Sequence, residues 1–168
     1  MSENFEAATP NEPTTYNLLF VCTGNTCRSP MAAAITRARL ARRGWTHVAV
    51  QSAGVAAASG QPAADHAVNV LAEHGIDLTD HIAQPLTPEL VAHADLILVM
   101  SASHLFQVKE AGGAEKVAML TDFVEGEDAG TPVEDPFGGD EDAYHRTYEQ
   151  LEAAVDGLLV RLEPILSP

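Results

Sequence analysis

The chain has 168 residues, of which 46% are hydrophobic and 20% are charged, as is usual for a globular protein with a substantial core. Its formal net charge is −15, with 24 acidic residues against nine lysines and arginines. This balance argues against nucleic acid or an anionic membrane as the main partner, because both require a basic surface. No apolar run approaches the roughly 18 residues that suggest a membrane span.

Residues 1–15 are polar and acidic and lack the basic and apolar regions of a secretory signal peptide. We expect them to form a flexible acidic extension, followed by a single domain over residues 16–168. The two cysteines both lie in one short loop, which excludes a disulfide framework and predicts a reducing, cytoplasmic location. We expect the protein to be a monomer.

Apolar runs predict four strands, over residues 17–21, 47–51, 95–100 and 116–120. Helical periodicity and capping signals predict helices beginning at Ser29 and Thr87 and others over residues 62–74, 103–111 and 141–166. Ser29 is the expected N-cap of the first of these helices, with Pro30 at its first helical position. Residues 52–54 are expected to form a turn and residues 123–139 a loop.

This alternation predicts an α/β fold with three layers, in which a central four-stranded parallel sheet carries helices on both faces. Right-handed crossovers then place the loop after the first strand at the carboxyl edge of the sheet, where such folds bind ligands.

The loop between the first strand and the first helix carries the strongest chemical signal. It runs from Cys22 to Arg28, with five residues between them. Loop amides and the adjoining helix N-terminus form an anion site, and Arg28 can grip two phosphoryl oxygens in a bidentate fork. The helix N-terminus and the guanidinium both favour the thiolate of Cys22, which is the nucleophilic form of cysteine. The spacing therefore predicts attack by Cys22 on a bound phosphoryl group.

Two alternatives compete with this interpretation. Cys22 could be a buried structural cysteine that precedes an ordinary helix. The chain could also be a non-catalytic phosphoprotein-binding module, which would keep Arg28 and the loop amides but could dispense with the nucleophile.

The stretch Cys22–Met31 resembles the signature loop of the low-molecular-weight protein tyrosine phosphatase family. A second stretch, Asp135–Gly139, resembles the general-acid loop of that family, and further stretches over residues 52–54 and 74–81 match it in order and spacing. Within the family, Thr26 and the Asp-Pro-Phe-Gly-Gly form look most like the bacterial protein-arginine phosphatases.

The resemblance implies a role for each matching residue. Cys22 would be the nucleophile, Arg28 would hold the phosphate and the transition state, and Asp135 would be the general acid and base. The other positions of the phosphate-binding loop are Thr23, Gly24, Asn25, Thr26, Cys27 and Ser29. Ser52 and His81 would support this loop.

The resemblance also implies that Cys27 protects an oxidised Cys22 by forming a reversible disulfide, although Cys27 could merely fill space. No metal or other cofactor is expected, because the seven histidines show no ligand spacing along the chain.

Substrate preference is expected to depend on Thr26 and Phe137. Tyrosine-directed relatives commonly carry an aliphatic residue at the position of Thr26, whereas threonine adds an acceptor oxygen that a guanidinium could meet. Phe137 would offer a flat wall to the substrate. The sequence therefore predicts a phosphatase for phosphoarginine in phosphorylated proteins, with phosphotyrosine as the alternative.

Overall fold

The computed structural model describes residues 15–166, in which helices and strands alternate along the chain. The strands are β1 (Tyr16–Cys22), β2 (Val48–Gly54), β3 (Leu96–Val99) and β4 (Val117–Met119). The helices are α1 (Arg28–Arg43), α2 (Asp65–Glu73), α3 (Pro88–His93), α4 (Ala102–Val108) and α5 (Glu141–Leu166). Short turns of π- and 3₁₀-helix cover Lys109–Gly113, Leu120–Phe123 and Gly126–Asp128. Apart from Thr15, the expected N-terminal extension lies outside the described residues.

The four strands form one parallel sheet, as predicted, and their order in it is β2-β1-β3-β4. The register pairs Cys22 with Gly54 across β1 and β2, and Val21 with Val99 across β1 and β3. Because all strands run in the same direction, the end of β1 lies at the carboxyl edge of the sheet. The fold therefore presents Cys22 at this edge.

Alternate residues of β1 point into two hydrophobic cores, one on each face of the sheet. Leu18 and Phe20 belong to the core that contains buried residues of α1, α2 and α5. Leu19 and Val21 belong to the other core, with buried residues of α3 and α4. These two cores confirm the predicted three-layer arrangement, and they explain why the sequence of β1 is a continuous apolar run.

The expectation that Ser29 caps α1 is wrong. The helix begins at Arg28, its N-cap is Cys27, and no side chain caps it. Ser29 is instead fully buried in the first turn. The helix ends at Arg43, and its C-cap Gly44 adopts the left-handed conformation with φ of 71°.

The expected turn over residues 52–54 is also wrong, because β2 continues through these residues to Gly54. The small side chains of these residues suggested a turn, but the residues pair in register with Phe20–Cys22 of β1. This extension brings the end of β2 alongside the loop that follows β1.

The remaining boundaries differ less. Helix α2 begins at Asp65 rather than at residue 62, and the helix predicted over 103–111 is α4 followed by the π turn. The capped start at Thr87 and the full span of α5 agree with prediction. Across residues 15–166, none of the helices combines the length and the apolar character needed to cross a membrane.

Candidate active site

Cys22 is the last residue of β1, and only 2% of its surface is exposed. Its Sγ atom lies 2.9 Å from the Oγ atom of Ser29. The backbone N–H of Ser29, in the first turn of α1, donates to the same sulfur at 3.4 Å. Two donors and the N-terminus of a 16-residue helix therefore face the sulfur, and this arrangement stabilises a thiolate.

Asn25 holds the loop in shape. It is buried and adopts the left-handed conformation with φ of 57°, which is uncommon for a residue other than glycine. Its Nδ2 atom donates to Ser29 Oγ at 2.8 Å and to Ser52 Oγ at 2.9 Å. Its Oδ1 atom accepts from the N–H of Gln84 at 2.9 Å, and its carbonyl accepts from Nε2 of His81 at 2.7 Å. These contacts from three other segments offset the strain of the backbone conformation.

The hydrogen bonds also form a chain that ends at the sulfur. The amide of Asn25 can only donate to Ser29, so the Ser29 hydroxyl proton is free to point elsewhere. The sulfur of Cys22 is its closer acceptor, at 2.9 Å, against 3.4 Å for the carbonyl of Ala53. The hydroxyl of Ser29 therefore does not cap the helix but can stabilise the negative charge on the sulfur of Cys22.

Gly54, at the end of β2, packs directly against the backbone of the phosphate-binding loop. A Cβ atom at this position would lie 2.5 Å from the carbonyl oxygen of Thr23 and 2.9 Å from the backbone nitrogen of Asn25. The residues after Gly54 then fix the loop, because the N–H of Val55 donates to the carbonyl of Cys22 at 2.9 Å and that of Ala56 to Thr23 at 2.8 Å. Only glycine permits this close approach.

Arg28 is 6% exposed and lies at the start of α1. One terminal nitrogen donates to the carbonyl of Val133 at 3.4 Å. The other donates to Thr23 Oγ1 at 3.3 Å and lies 3.4 Å from a carboxylate oxygen of Asp135. The structure therefore brings Asp135, the predicted general acid, beside the guanidinium of Arg28.

A cavity of about 170 Å³ opens above the sulfur. It is lined by residues of the loop and of the 135–139 segment, namely Cys22, Thr23, Gly24, Thr26, Cys27, Arg28, Asp135 and Phe137. The carboxylate of Asp135 is about half exposed and accepts from the N–H of Phe137 at 3.2 Å. Phe137 is 76% exposed, so its ring is available at the rim of the cavity.

Cys27 is buried, and its Sγ atom lies 3.3 Å from the hydroxyl of Tyr144 and 3.7 Å from Oγ1 of Thr26. Burial raises the pKa of the Cys27 thiol, which favours the neutral form and distinguishes it from a nucleophile. Tyr144 packs in the core and also hydrogen-bonds Cys27 of the loop.

Sequence reasoning missed His104, which is 2% exposed. Its Nε2 atom lies 2.9 Å from Thr23 Oγ1, and its Nδ1 atom lies 3.0 Å from the hydroxyl of Ser101. Burial, and then the positive charge of Arg28, lower the pKa of His104 to about 4. The imidazole is therefore neutral at pH 7 and bridges two hydroxyls, which orients Thr23 next to Arg28.

This pKa predicts that acid destabilises the protein through His104. The unfolded histidine has a pKa of about 6.5 and takes up its proton first, so the free energy of unfolding decreases as the pH falls from 6.5 to about 4. We expect the loss from this group to be about 1–3 kcal/mol. A His104→Gln variant lacks the titrating group but keeps a donor and an acceptor.

Urea denaturation of both proteins at several pH values measures the effect. The stability of the wild type should decrease relative to that of His104→Gln as the pH falls from 7 to 4.5. Parallel pH profiles of the two proteins would contradict the assignment.

Comparison with known proteins adds a family match. The profile of the family described as "Low molecular weight phosphotyrosine protein phosphatase" matches residues 17–165. A protein-arginine-phosphatase of Bacillus subtilis is 42% identical over 149 residues, which cover 88% of this chain and 97% of the relative. A probable low molecular weight protein-tyrosine-phosphatase, EpsP of Ralstonia nicotianae, is 38% identical over 148 residues, with the same coverage.

A solved structure is similar over the same length. It is the YwlE arginine phosphatase in the form of a cysteine-to-serine mutant with a phosphorylated active-site serine. It superposes with a TM-score of 0.80 at 39% identity and covers 89% of this chain and 97% of its own. That structure carries a phosphoryl group on a residue that replaces cysteine.

Proposed function

Because the chain belongs to the low molecular weight phosphotyrosine protein phosphatase family, we propose that it removes phosphate from phosphoarginine side chains of proteins. The observation that carries this proposal is the lining of the cavity, because Thr26 and Asp135, whose side chains both carry oxygen acceptors, line it together with Cys22. A guanidinium offers several N–H donors to these acceptors, whereas the phenol of tyrosine has no donor left once it is phosphorylated.

In the first step the thiolate of Cys22 attacks the phosphorus in line with the leaving nitrogen. Arg28 and the loop amides hold the equatorial oxygens and balance the charge that develops there. The P–N bond breaks as the S–P bond forms, and Asp135 gives its proton to the departing guanidine nitrogen. The products are a phosphocysteine, a free arginine side chain that carries the transferred proton on the nitrogen released from phosphorus, and the carboxylate of Asp135.

In the second step water attacks the phosphocysteine. Asp135, now a carboxylate, takes a proton from that water, and the S–P bond breaks to return the thiolate and release inorganic phosphate. The Ser29 hydroxyl stabilises the returning charge on the sulfur, from 2.9 Å away. The cycle regenerates the starting enzyme, and the groups described here can perform every proton transfer in it.

Phosphoarginine requires a general acid, because free guanidine is a very strong base and leaves poorly unless its nitrogen is protonated. Asp135 lines the cavity and lies 3.4 Å from Arg28, so its carboxyl group can reach the leaving nitrogen of a substrate bound there. Thr26 adds an acceptor whose only contact among the described residues is a long one of 3.7 Å to Cys27 Sγ. Its hydroxyl is therefore available to a substrate.

Phosphotyrosine is the second candidate substrate. The exposed ring of Phe137 at the rim could stack on a phenol, and the Ralstonia relative is named as a tyrosine phosphatase. Tyrosine has a pKa of about 10 and leaves more easily than arginine, so the same catalytic groups could act on it.

We further propose a substrate class, a location and an oligomeric state for the protein. The substrates are phosphorylated proteins, and we place the enzyme in the reducing cytoplasm, where the thiolate of Cys22 is preserved. We also propose that the protein is a monomer, because Cys22, Arg28 and Asp135 of one chain already make up the full set of catalytic groups in this mechanism. Cys27 is proposed to trap an oxidised Cys22: a sulfenic acid at Cys22 would condense with the Cys27 thiol to a disulfide and release water.

Phosphate release from matched phosphoarginine and phosphotyrosine peptides tests the proposal. We expect the wild-type kcat/KM to be at least about tenfold higher for phosphoarginine, which corresponds to about one hydrogen bond to a charged group. A preference for phosphotyrosine would leave the second candidate. Saturable binding of both peptides without turnover would indicate the phosphoprotein-binding module.

A further inference from the structure

Two histidines and two glutamates meet where α2 packs against α5. His66 and Glu73 lie two turns apart on α2, and Glu141 and His145 lie one turn apart at the start of α5. The pairs face each other in parallel order, with His66 opposite Glu141 and Glu73 opposite His145. None of these four residues lines the cavity above Cys22.

Three of these side chains converge closely enough to share an ion. One ligand atom from each of Glu73, Glu141 and His145 lies within 4.8 Å of the other two. His145 Nε2 is 3.6 Å from a carboxylate oxygen of Glu73 and 3.9 Å from one of Glu141. In a tetrahedral zinc site with bonds of about 2.0–2.2 Å, neighbouring ligand atoms are about 3.3–3.6 Å apart. The two distances to His145 lie within or close to this range, and the Glu73 and Glu141 ligand atoms are no more than 4.8 Å apart, so rotation of these exposed side chains would complete the geometry.

His66 lies beside the same cluster. Its side chain is 43% exposed, but its Nδ1 atom is buried and, within residues 15–166, has no hydrogen-bond partner. It lies 3.6 Å from Oε2 of Glu141, slightly beyond hydrogen-bonding distance. Metal binding by the other oxygen of Glu141 would pull the carboxylate into place and give this nitrogen an acceptor. Such outer hydrogen bonds commonly orient the ligands of metal sites.

We propose that this cluster binds a divalent transition metal of the zinc class, with Glu73, Glu141 and His145 as ligands and His66 as the residue that orients Glu141. Imidazole nitrogen with two carboxylates suits zinc and its neighbours better than magnesium or calcium, which prefer oxygen alone. The ligand side chains are 36–50% exposed, so an ion can enter from solvent, and water can occupy the remaining coordination position.

The proposed metal site lies close to residues that contact the phosphate-binding loop. The His66 ring packs against Tyr144 with centroids 5.3 Å apart, and the Tyr144 hydroxyl contacts Cys27 Sγ at 3.3 Å. The N–H of Ala64, just before α2, donates to the carbonyl of Thr26 at 3.0 Å. An ion that links α2 to α5 would therefore clamp two helices that both touch the phosphate-binding loop.

The test uses the full chain with the Cys22→Ser substitution, so that the reactive thiolate cannot bind the metal. Zn²⁺ is titrated by calorimetry after chelator treatment, and Co²⁺ is titrated by visible spectroscopy. We expect one ion per chain, Co²⁺ bands without a sulfur charge-transfer band, and a Zn²⁺-dependent rise in melting temperature.

The variants His145→Gln and Glu73→Gln, one on each helix, remove ligands at nearly constant size. Each should weaken Zn²⁺ binding at least about 100-fold, and His66→Gln should weaken it about 10–100-fold. His93→Gln, an exposed histidine on α3, is the matched control and should bind as the parent does. Metal-free melting temperatures show that each variant is folded.

Failure to bind Zn²⁺ would overturn the proposal and leave ordinary histidine–glutamate ion pairs. Binding that both ligand variants leave unchanged would overturn it too, because the ion would then occupy another site. Neither outcome affects the proposed phosphatase activity, which does not use these residues.

Discussion

Replacing Cys22 by serine is expected to lower kcat/KM on a phosphorylated protein by about 10⁴–10⁶-fold, the range seen when a catalytic nucleophile is removed. The buried site provides two donors that stabilise a thiolate, but a serine hydroxyl is far less acidic than a thiol and stays protonated. Phosphate release under single-turnover conditions measures the loss. Phosphate binding should persist, because Arg28 and the loop amides are unchanged.

Cys27→Ser is the matched control, since it makes the same change five residues away on the same loop. Its thiol contacts Tyr144 and Thr26, and it is not placed to attack the substrate. We expect an effect of no more than roughly tenfold, the scale of one hydrogen bond. Equal losses in both variants would contradict the assignment of Cys22 as the nucleophile.

Replacing Asp135 by asparagine is expected to lower kcat for phosphoarginine peptides by about 10²–10⁴-fold, the usual contribution of general acid–base catalysis. Asparagine can still contact Arg28 but cannot protonate a strongly basic guanidine. The loss should be smaller for p-nitrophenyl phosphate, because its leaving group is acidic and departs without a proton. Initial rates on both substrates give the comparison.

Asp142→Asn removes the same charge from an exposed position in the first turn of α5 and serves as the control. It should retain nearly full activity on both substrates. A loss at Asp135→Asn that is equal for good and poor leaving groups would contradict its role as the acid and would point to an effect on binding.

The catalytic loop was predictable because its chemistry is local. Cys22 and Arg28 lie six positions apart between an apolar strand and a helix, and this pattern alone indicates a phosphate site with a nucleophile. The alternation of strands and helices likewise indicated a parallel sheet, because parallel neighbours need long crossover connections and these are usually helices.

The errors occurred where a tertiary contact outweighs a local preference. Ser29 is a favourable N-cap residue by itself, but its hydroxyl is buried against the sulfur of Cys22. The small residues of 52–54 suggested a turn, yet small side chains are needed there because β2 runs directly beside the loop.

Other residues could not be found because their partners are distant in sequence. Gln84 bonds Asn25 across 59 positions, His104 reaches Thr23 across 81, and Tyr144 reaches Cys27 across 117. Nothing in the neighbouring sequence of these residues distinguishes them from ordinary core or surface positions. The histidine–glutamate cluster was hidden for the same reason, since its members come from two helices.

The relative rates on matched phosphoarginine and phosphotyrosine peptides, measured for the wild type, Thr26→Val and Thr26→Ile, test the central claim most directly. Thr26→Val removes the hydroxyl at constant shape, and Thr26→Ile also adds apolar volume to the cavity lining. We predict that the wild type prefers phosphoarginine. Both substitutions should lower the ratio of kcat/KM for phosphoarginine to that for phosphotyrosine at least about tenfold. Thr26→Ile should also increase the rate on phosphotyrosine. A preference for phosphoarginine that neither substitution changes would contradict the role of Thr26. A wild type that prefers phosphotyrosine would contradict the assignment of the substrate.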